Sequence, residues 1–247
     1  MKTTLTFSLL IPLLGAVACG PSPADRPAPA REIRQTAVAT EAAPAPAAPS
    51  ALSASANSGP VVVFLGDSLT AGLGLDEGQA YPARVAERLA ALGTPIRAIN
   101  AGVSGDTTAG GLARIDWLLR QHPDVLVVGL GGNDGMRGLP LAAIEKNLRE
   151  IVRRGSAAGV RVLLLGMKIP PNYGPDYSGG FEAMYPRLAK EMDVPLVPFL
   201  LEGVGGIARL NQDDGIHPTA EGQEKVAATV TPYLAQVLAQ ETATARK

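Results

Sequence analysis

A serine, a histidine and an aspartate stand in this chain where together they could carry out acyl transfer. Ser68 lies in "VVVFLGDSLTAGLG" (61–74), just after an apolar run breaks off at Gly66. His217 lies in "DDGIHPTAEG", three residues after Asp214. An aspartate and a histidine at that spacing can meet directly. The carboxylate then holds one imidazole nitrogen and leaves the other to take a proton from a serine hydroxyl. Pro218 biases His217 towards an extended backbone, which suits a helix entrance. Most isolated D-x-x-H matches are only surface turns with a capping acid, so the pair needs support from elsewhere in the chain. The one other histidine, His122 in "RQHPD", falls between a helical and a strand-like segment, on the far edge of the sheet expected below.

Such a nucleophile also needs donors for the negative charge that develops on the attacked carbonyl oxygen. Gly105 in "SGDT" allows a close backbone approach, Asn133 in "GGND" offers a side-chain amide, and the Ser68 N–H makes a third donor. Alone, each is ordinary turn chemistry; their joint placement is what counts. Competing chemistries fit less well. "GDSLTAGLG" meets neither G-x-G-x-x-G nor the Walker pattern for nucleotide phosphates. Thr70 stands where a G-x-S-x-G elbow needs glycine. A metal hydrolase would need more ligands than Asp213, Asp214 and His217 supply from one short turn.

The elements that must position these residues follow from periodicity. Short apolar runs, "VVVFL" (61–65), "PIRAIN" (95–100), "DVLVVGL" (124–130), "RVLLLGM" (161–167) and one near "PLVPFL" (195–200), read as strands. Between them lie helical patterns over 81–93, 108–121, 141–158, 181–192 and 219–239. This alternation predicts a three-layer α/β/α sandwich around a mostly parallel five-stranded sheet, flavodoxin-like in class. In an open parallel sheet, ligands sit beyond the carboxyl ends of the strands. The turns holding Ser68, Gly105 and Asn133 each leave a strand, so all three share that edge. Gly66 is expected to let the first strand turn sharply there. An apolar pocket for an acyl tail is expected from Met136, Leu139, Ile169 and Tyr173, in the loops "DGMRGLP" and "MKIPPNYGPDYSGGF".

Charge gives no sign of a nucleic-acid partner: 22 Lys and Arg against 23 Asp and Glu leave a net charge of −1. Residues 1–19 read as an export signal, with a short apolar run too broken for a comfortable membrane span. The run ends in Ala16-Val17-Ala18 before Cys19, the only cysteine. Two readings stay open: a plain small-residue cleavage site, or a bacterial lipobox with Cys19 lipidated. Residues 20–59 are rich in Pro, Ala, Ser and Thr and read as a tether. The domain is expected over 60–240 and a flexible tail over 241–247.

The segments "GDSL", "SGDT", "GGND" and "DGIHP" resemble, in order, the blocks of the GDSL or SGNH hydrolases. Likeness continues through "AYPARVAERL", "GLARIDWLL", "IPPNYG", "YPRLAKE" and "VPLVPFLLEGV", and is nearest to the periplasmic thioesterase I, lysophospholipase and arylesterase group. The resemblance implies Ser68 as nucleophile, His217 as base and Asp214 as its orienting acid. It also implies an oxyanion hole of Ser68, Gly105 and Asn133. The activity implied is hydrolysis of a small-molecule acyl ester or thioester by a monomer, with no metal or other cofactor. A carbohydrate or peptidoglycan O-acetyl esterase would use the same blocks, and a non-catalytic acyl-binding envelope protein would need none of them intact. The expected location is the bacterial cell envelope, lipid-anchored in the periplasm or else soluble or secreted.

Overall fold

The structure, a computed structural model, describes residues 59–240. The expected export signal, Cys19, the tether up to residue 58 and the tail over 241–247 lie outside the described residues. Five strands, β1 (Val61–Gly66), β2 (Arg97–Gly102), β3 (Val125–Gly129), β4 (Arg161–Leu165) and β5 (Leu196–Val197), form one sheet in the order β2-β1-β3-β4-β5. Every pairing is parallel, as expected. Burial explains the strand sequences. Val62 to Leu65, Val125 to Val128 and Leu163 to Leu165 have no exposed surface, because helices cover both faces. Burying each such aliphatic side chain contributes about 1.5–3 kcal/mol. At one edge β2 is half-exposed, and at the other β5 is two residues long, which limits the open ladder.

Among the described residues, seven α-helices complete the layers. On one face α2 (Tyr81–Ala91) packs on α7 (Ala220–Ala239). On the other, α3 (Thr108–Leu119) packs on α5 (Leu141–Ala157), and α5 on α6 (Pro175–Met192). The two remaining helices are short: α1 (Ser68–Ala71) and α4 (Gly132–Met136). Both fall where the sequence suggests only turns, since four or five residues cannot display a helical period. The helix α6 starts six residues earlier than the expected Phe181. Its first turns carry Ser178, Gly179 and Gly180, poor helix formers, although Pro175 at the start is a legitimate opening signal.

A row of three glycines crosses the sheet at its carboxyl edge: Gly66 of β1 is in register with Gly102 of β2 and with Gly129 of β3. The short α1 lies directly on this row. A methyl group on Gly66 would collide with Thr70 Oγ1, and one on Gly102 with the backbone nitrogen of Ala71. Gly66 carries no positive φ, so the expectation that it permits a sharp turn is corrected. What it permits is close approach.

The chain enters β1 from Gly59 at the amino edge. The end of α7 returns to the same edge, where Arg161, the first residue of β4, donates from Nη1 to the Val237 carbonyl at 2.6 Å.

Candidate active site

The sheet order reverses between β1 and β3, and the crevice at such a switch point is where an α/β sheet binds ligands. Ser68 opens α1 immediately after β1, and Asn133 sits in α4 immediately after β3. Asp67 caps α1: its Oδ1 accepts the Leu69 N–H at 3.0 Å. The helix closes one turn later at Gly72 in the left-handed conformation. Two long-range bonds fix it from outside, Asn100 Nδ2 to the Thr70 carbonyl at 2.9 Å and Gln223 Nε2 to the Leu69 carbonyl at 3.2 Å. Ser68 is thereby held with only 8% exposure.

His217 reaches Ser68 from the loop before α7. Its Nε2 lies 2.8 Å from Ser68 Oγ, and its Nδ1 lies 2.6 Å from Asp214 Oδ2. The other Asp214 oxygen accepts the backbone N–H groups of Ile216 and His217, each at 2.9 Å. These backbone bonds, with the imidazole behind them, pull the Asp214 carboxyl down to about 2. Gln212 staples the loop in place, donating from Nε2 to the carbonyls of Leu73 at 2.7 Å and Pro218 at 3.1 Å. His122 lies elsewhere, between α3 and β3 at the amino edge, as expected.

The structure also brings the expected oxyanion donors to this crevice. Gly105 follows β2 with φ of 78°, a backbone conformation that suits glycine. Neither its N–H nor that of Ser68 has a hydrogen-bond partner among the described residues. Asn133 Nδ2 donates to the Asp106 carbonyl at 2.9 Å and, more loosely, to Asp67 Oδ2 at 3.3 Å.

Asp67 is a residue whose involvement the sequence reading missed. It is 3% exposed, and burial pushes its carboxyl up to about 6, against the Leu69 N–H and the nearby His217, which favour the charged form. Position alone, beside the serine and after a buried strand, was the available signal.

Beside Ser68 opens an apolar cavity of about 270 Å³, lined in part by Met136, Met167, Ile169, Phe199, Leu201 and Ile216. Met136 and Ile169 therefore lie where expected. Leu139 and Tyr173 do not line it, which corrects their assignment. Their polar atoms serve another purpose: the Tyr173 hydroxyl donates to the Met136 carbonyl at 2.7 Å, and the Leu139 carbonyl accepts from Tyr177 Oη at 2.6 Å. Those bonds tie the end of α4 and the α4–α5 connection to the turn before α6 and to its first residues, with Leu139 and Tyr173 each 37% exposed. Leu201 and Ile216 lie in loops after β5 that show no periodicity, and Phe199 belongs to the run "PLVPFL" expected as a strand, whereas β5 ends at Val197.

Residues 64–225 match the GDSL-like Lipase/Acylhydrolase family. "Esterase TesA" of Pseudomonas aeruginosa is 45% identical over 178 residues, covering 72% of this chain and 89% of that protein. "Thioesterase 1/protease 1/lysophospholipase L1" of Escherichia coli K12 is 43% identical over 167 residues, covering 67% of this chain and 79% of that protein. The crystal structure of TesA superposes with a TM-score of 0.70 at 45% identity, covering 72% of this chain and 99% of that one.

Proposed function

The chain belongs to the GDSL-like lipase/acylhydrolase family and is an ester or thioester hydrolase, and from that premise we propose that it works through an acyl-serine intermediate on Ser68. The observation that carries the proposal is the continuous line Ser68 Oγ–His217 Nε2–Asp214 Oδ2, at 2.8 and 2.6 Å. With Nδ1–H donated to Asp214, Nε2 is left as an acceptor and takes the Ser68 proton as Oγ attacks the carbonyl. The oxyanion meets the free N–H groups of Ser68 and Gly105. It also takes the Asn133 Nδ2 hydrogen that Asp67 holds only at 3.3 Å. His217 then protonates the leaving alkoxide or thiolate. Water activated by the same nitrogen releases the acid.

The apolar cavity beside Ser68 supports an aliphatic or aryl acyl substrate over an acetylated sugar. Its volume, about 270 Å³, is near the lower end of small-molecule pockets. Purified Ser68→Ala should retain its fold and lose ester turnover to background, and a fluorophosphonate should label wild type at Ser68 alone. Excess chelator should leave turnover unchanged. A series of p-nitrophenyl esters from acetyl to palmitoyl reads the acyl preference. A sharp acetyl-only optimum would sink the cavity assignment and favour an O-acetyl esterase.

Export with lipidation of Cys19 belongs to the same proposal, supported by the apolar run and small residues before that cysteine. Among the described residues no helix is long and apolar enough to cross a membrane. The mass of the mature N-terminus distinguishes a lipidated Cys19 from plain cleavage.

A further inference from the structure

Two donors of the proposed oxyanion hole, Ser68 and Gly105, lie close in the chain to groups that one guanidinium holds. The third, Asn133, is hydrogen-bonded to a residue it holds. Arg114 projects from α3, and its side chain is 21% exposed. Its Nε and Nη2 both lie 2.9 Å from Asp106 Oδ2. Nη1 donates to the Ala101 carbonyl at 2.7 Å, and Nη2 to the Gly66 carbonyl at 3.0 Å. Gly66 O is the last carbonyl of β1, two residues before Ser68. Ala101 O is near the end of β2, on the path to Gly105. Asp106 adjoins Gly105, and its own carbonyl is the partner of Asn133 Nδ2.

We propose that Arg114 is the positioning residue of the oxyanion hole, setting the mutual spacing of the Ser68, Gly105 and Asn133 donors by bracing the ends of β1 and β2 and the Asp106 turn. The inference rests on the acyl-serine reading above. Arginine suits the task because a planar guanidinium presents several donors in fixed directions, whereas an ammonium is a compact point charge on a flexible stem. Besides Arg114, the Gly105 turn is held by the Asp106 N–H on the Val103 carbonyl at 3.0 Å, which leaves the Asp106 side chain as the point where α3 grips it. A left-handed glycine samples many conformations, and among the described residues its carbonyl is bonded only to the exposed side chain of Arg137, at 3.0 Å. Displacement of a donor by well under an ångström weakens the bond that matters in the transition state, while the acyl cavity, which neither Gly105 nor Arg114 lines, keeps its shape.

The test compares purified wild type, Arg114→Lys and Arg114→Met, with Ser68→Ala as background, using a p-nitrophenyl ester of the preferred chain length. Both Arg114 variants should lose about 10- to 100-fold in kcat, somewhat less than outright removal of an oxyanion donor. KM should stay within about threefold, since ground-state binding in the cavity is untouched. Affinity for an alkyl trifluoromethyl ketone, whose hemiketal oxyanion occupies the same hole, should fall in parallel with kcat/KM. Thermal unfolding and the pH dependence of kcat/KM complete the comparison, and the latter should keep its limb positions because His217 and Asp214 are unaltered. Wild-type kcat in Arg114→Lys overturns the inference, because charge alone then suffices. A loss confined to KM overturns it, as does ketone affinity unchanged while kcat falls. Failure of Arg114→Lys to unfold cooperatively would also overturn it, leaving Arg114 as a scaffold residue. Absence of esterase turnover in wild type would instead reject the function proposed above.

Discussion

Two carboxyl groups within a few residues of the site titrate in opposite senses, and each has a measurable consequence for stability. Asp67 is raised to about 6 by burial. Its unfolded counterpart ionises near pH 4, so above that pH the unfolded state loses the proton first. The stability it contributes is therefore full below about pH 4 and is lost as pH rises towards 6. Between pH 4.5 and 7.5 this amounts to about 2 kcal/mol. Asp67→Asn should abolish that part of the pH dependence, measured as the difference in urea unfolding free energy between the two pH values. An unchanged difference would mean that Asp67 is not held protonated by burial. Asp214 runs the other way. Its carboxyl is held at about 2, so its contribution is present above about pH 4 and disappears as pH falls towards 2. Since 45% of its side chain faces solvent, that contribution is modest. Asp214→Asn should flatten the acid limb of the unfolding curve between about pH 4 and 2, and an unchanged limb would mean that its hydrogen bonds do not favour the charged carboxylate. The Asp214–His217 pairing was legible in the sequence from spacing alone. The acid of "GDSL" was not read as a group with its own environment, because desolvation depends on what packs over a residue and leaves no mark in its neighbours.

At the scale of elements, the seat of the nucleophile is the row of glycines beneath α1. Substituting Gly66 by alanine forces its methyl into Thr70, which hydrogen-bonds Tyr81 Oη at 3.0 Å and has no room to retreat. We expect Gly66→Ala to cost about 1–3 kcal/mol in unfolding free energy, the usual range for overpacking. Displacement of α1 should also slow labelling of Ser68 by a fluorophosphonate. A variant with normal labelling and stability would show that α1 slides without cost. The long strands and helices were legible because buried parallel strands are continuous apolar runs and the longer helices show a clear stripe, as along Ile144, Leu148, Ile151 and Val152 of α5. The short helices α1 and α4 were not, although they carry Ser68 and Asn133. They exist because a turn of helix is how the backbone leaves a glycine-ended strand here, a tertiary demand rather than a propensity.

For the molecule as a whole, sheet order decides where chemistry happens, and the crossovers decide what fits beside it. The cavity draws on α4, the β4–α6 loop and the segment after β5, so its depth is a property of three connections together. Ile169→Trp should fill part of it. We expect kcat/KM for an octanoyl ester to fall by more than about tenfold, while the acetyl ester changes by less than about twofold, since one buried methylene is worth about 0.8 kcal/mol. Equal losses on both esters would place the acyl chain elsewhere. The return of α7 to the edge where β1 begins has a practical consequence. Gly59 and the end of α7 both leave from the amino edge, while Ser68, Asn133 and His217 open at the carboxyl edge. A catalyst whose described residues begin and end on its back can be grafted to a bead, a resin or a display scaffold at either Gly59 or the end of α7. Its reactive crevice would then face the bulk solution, and turnover per immobilised molecule should match that of the free enzyme.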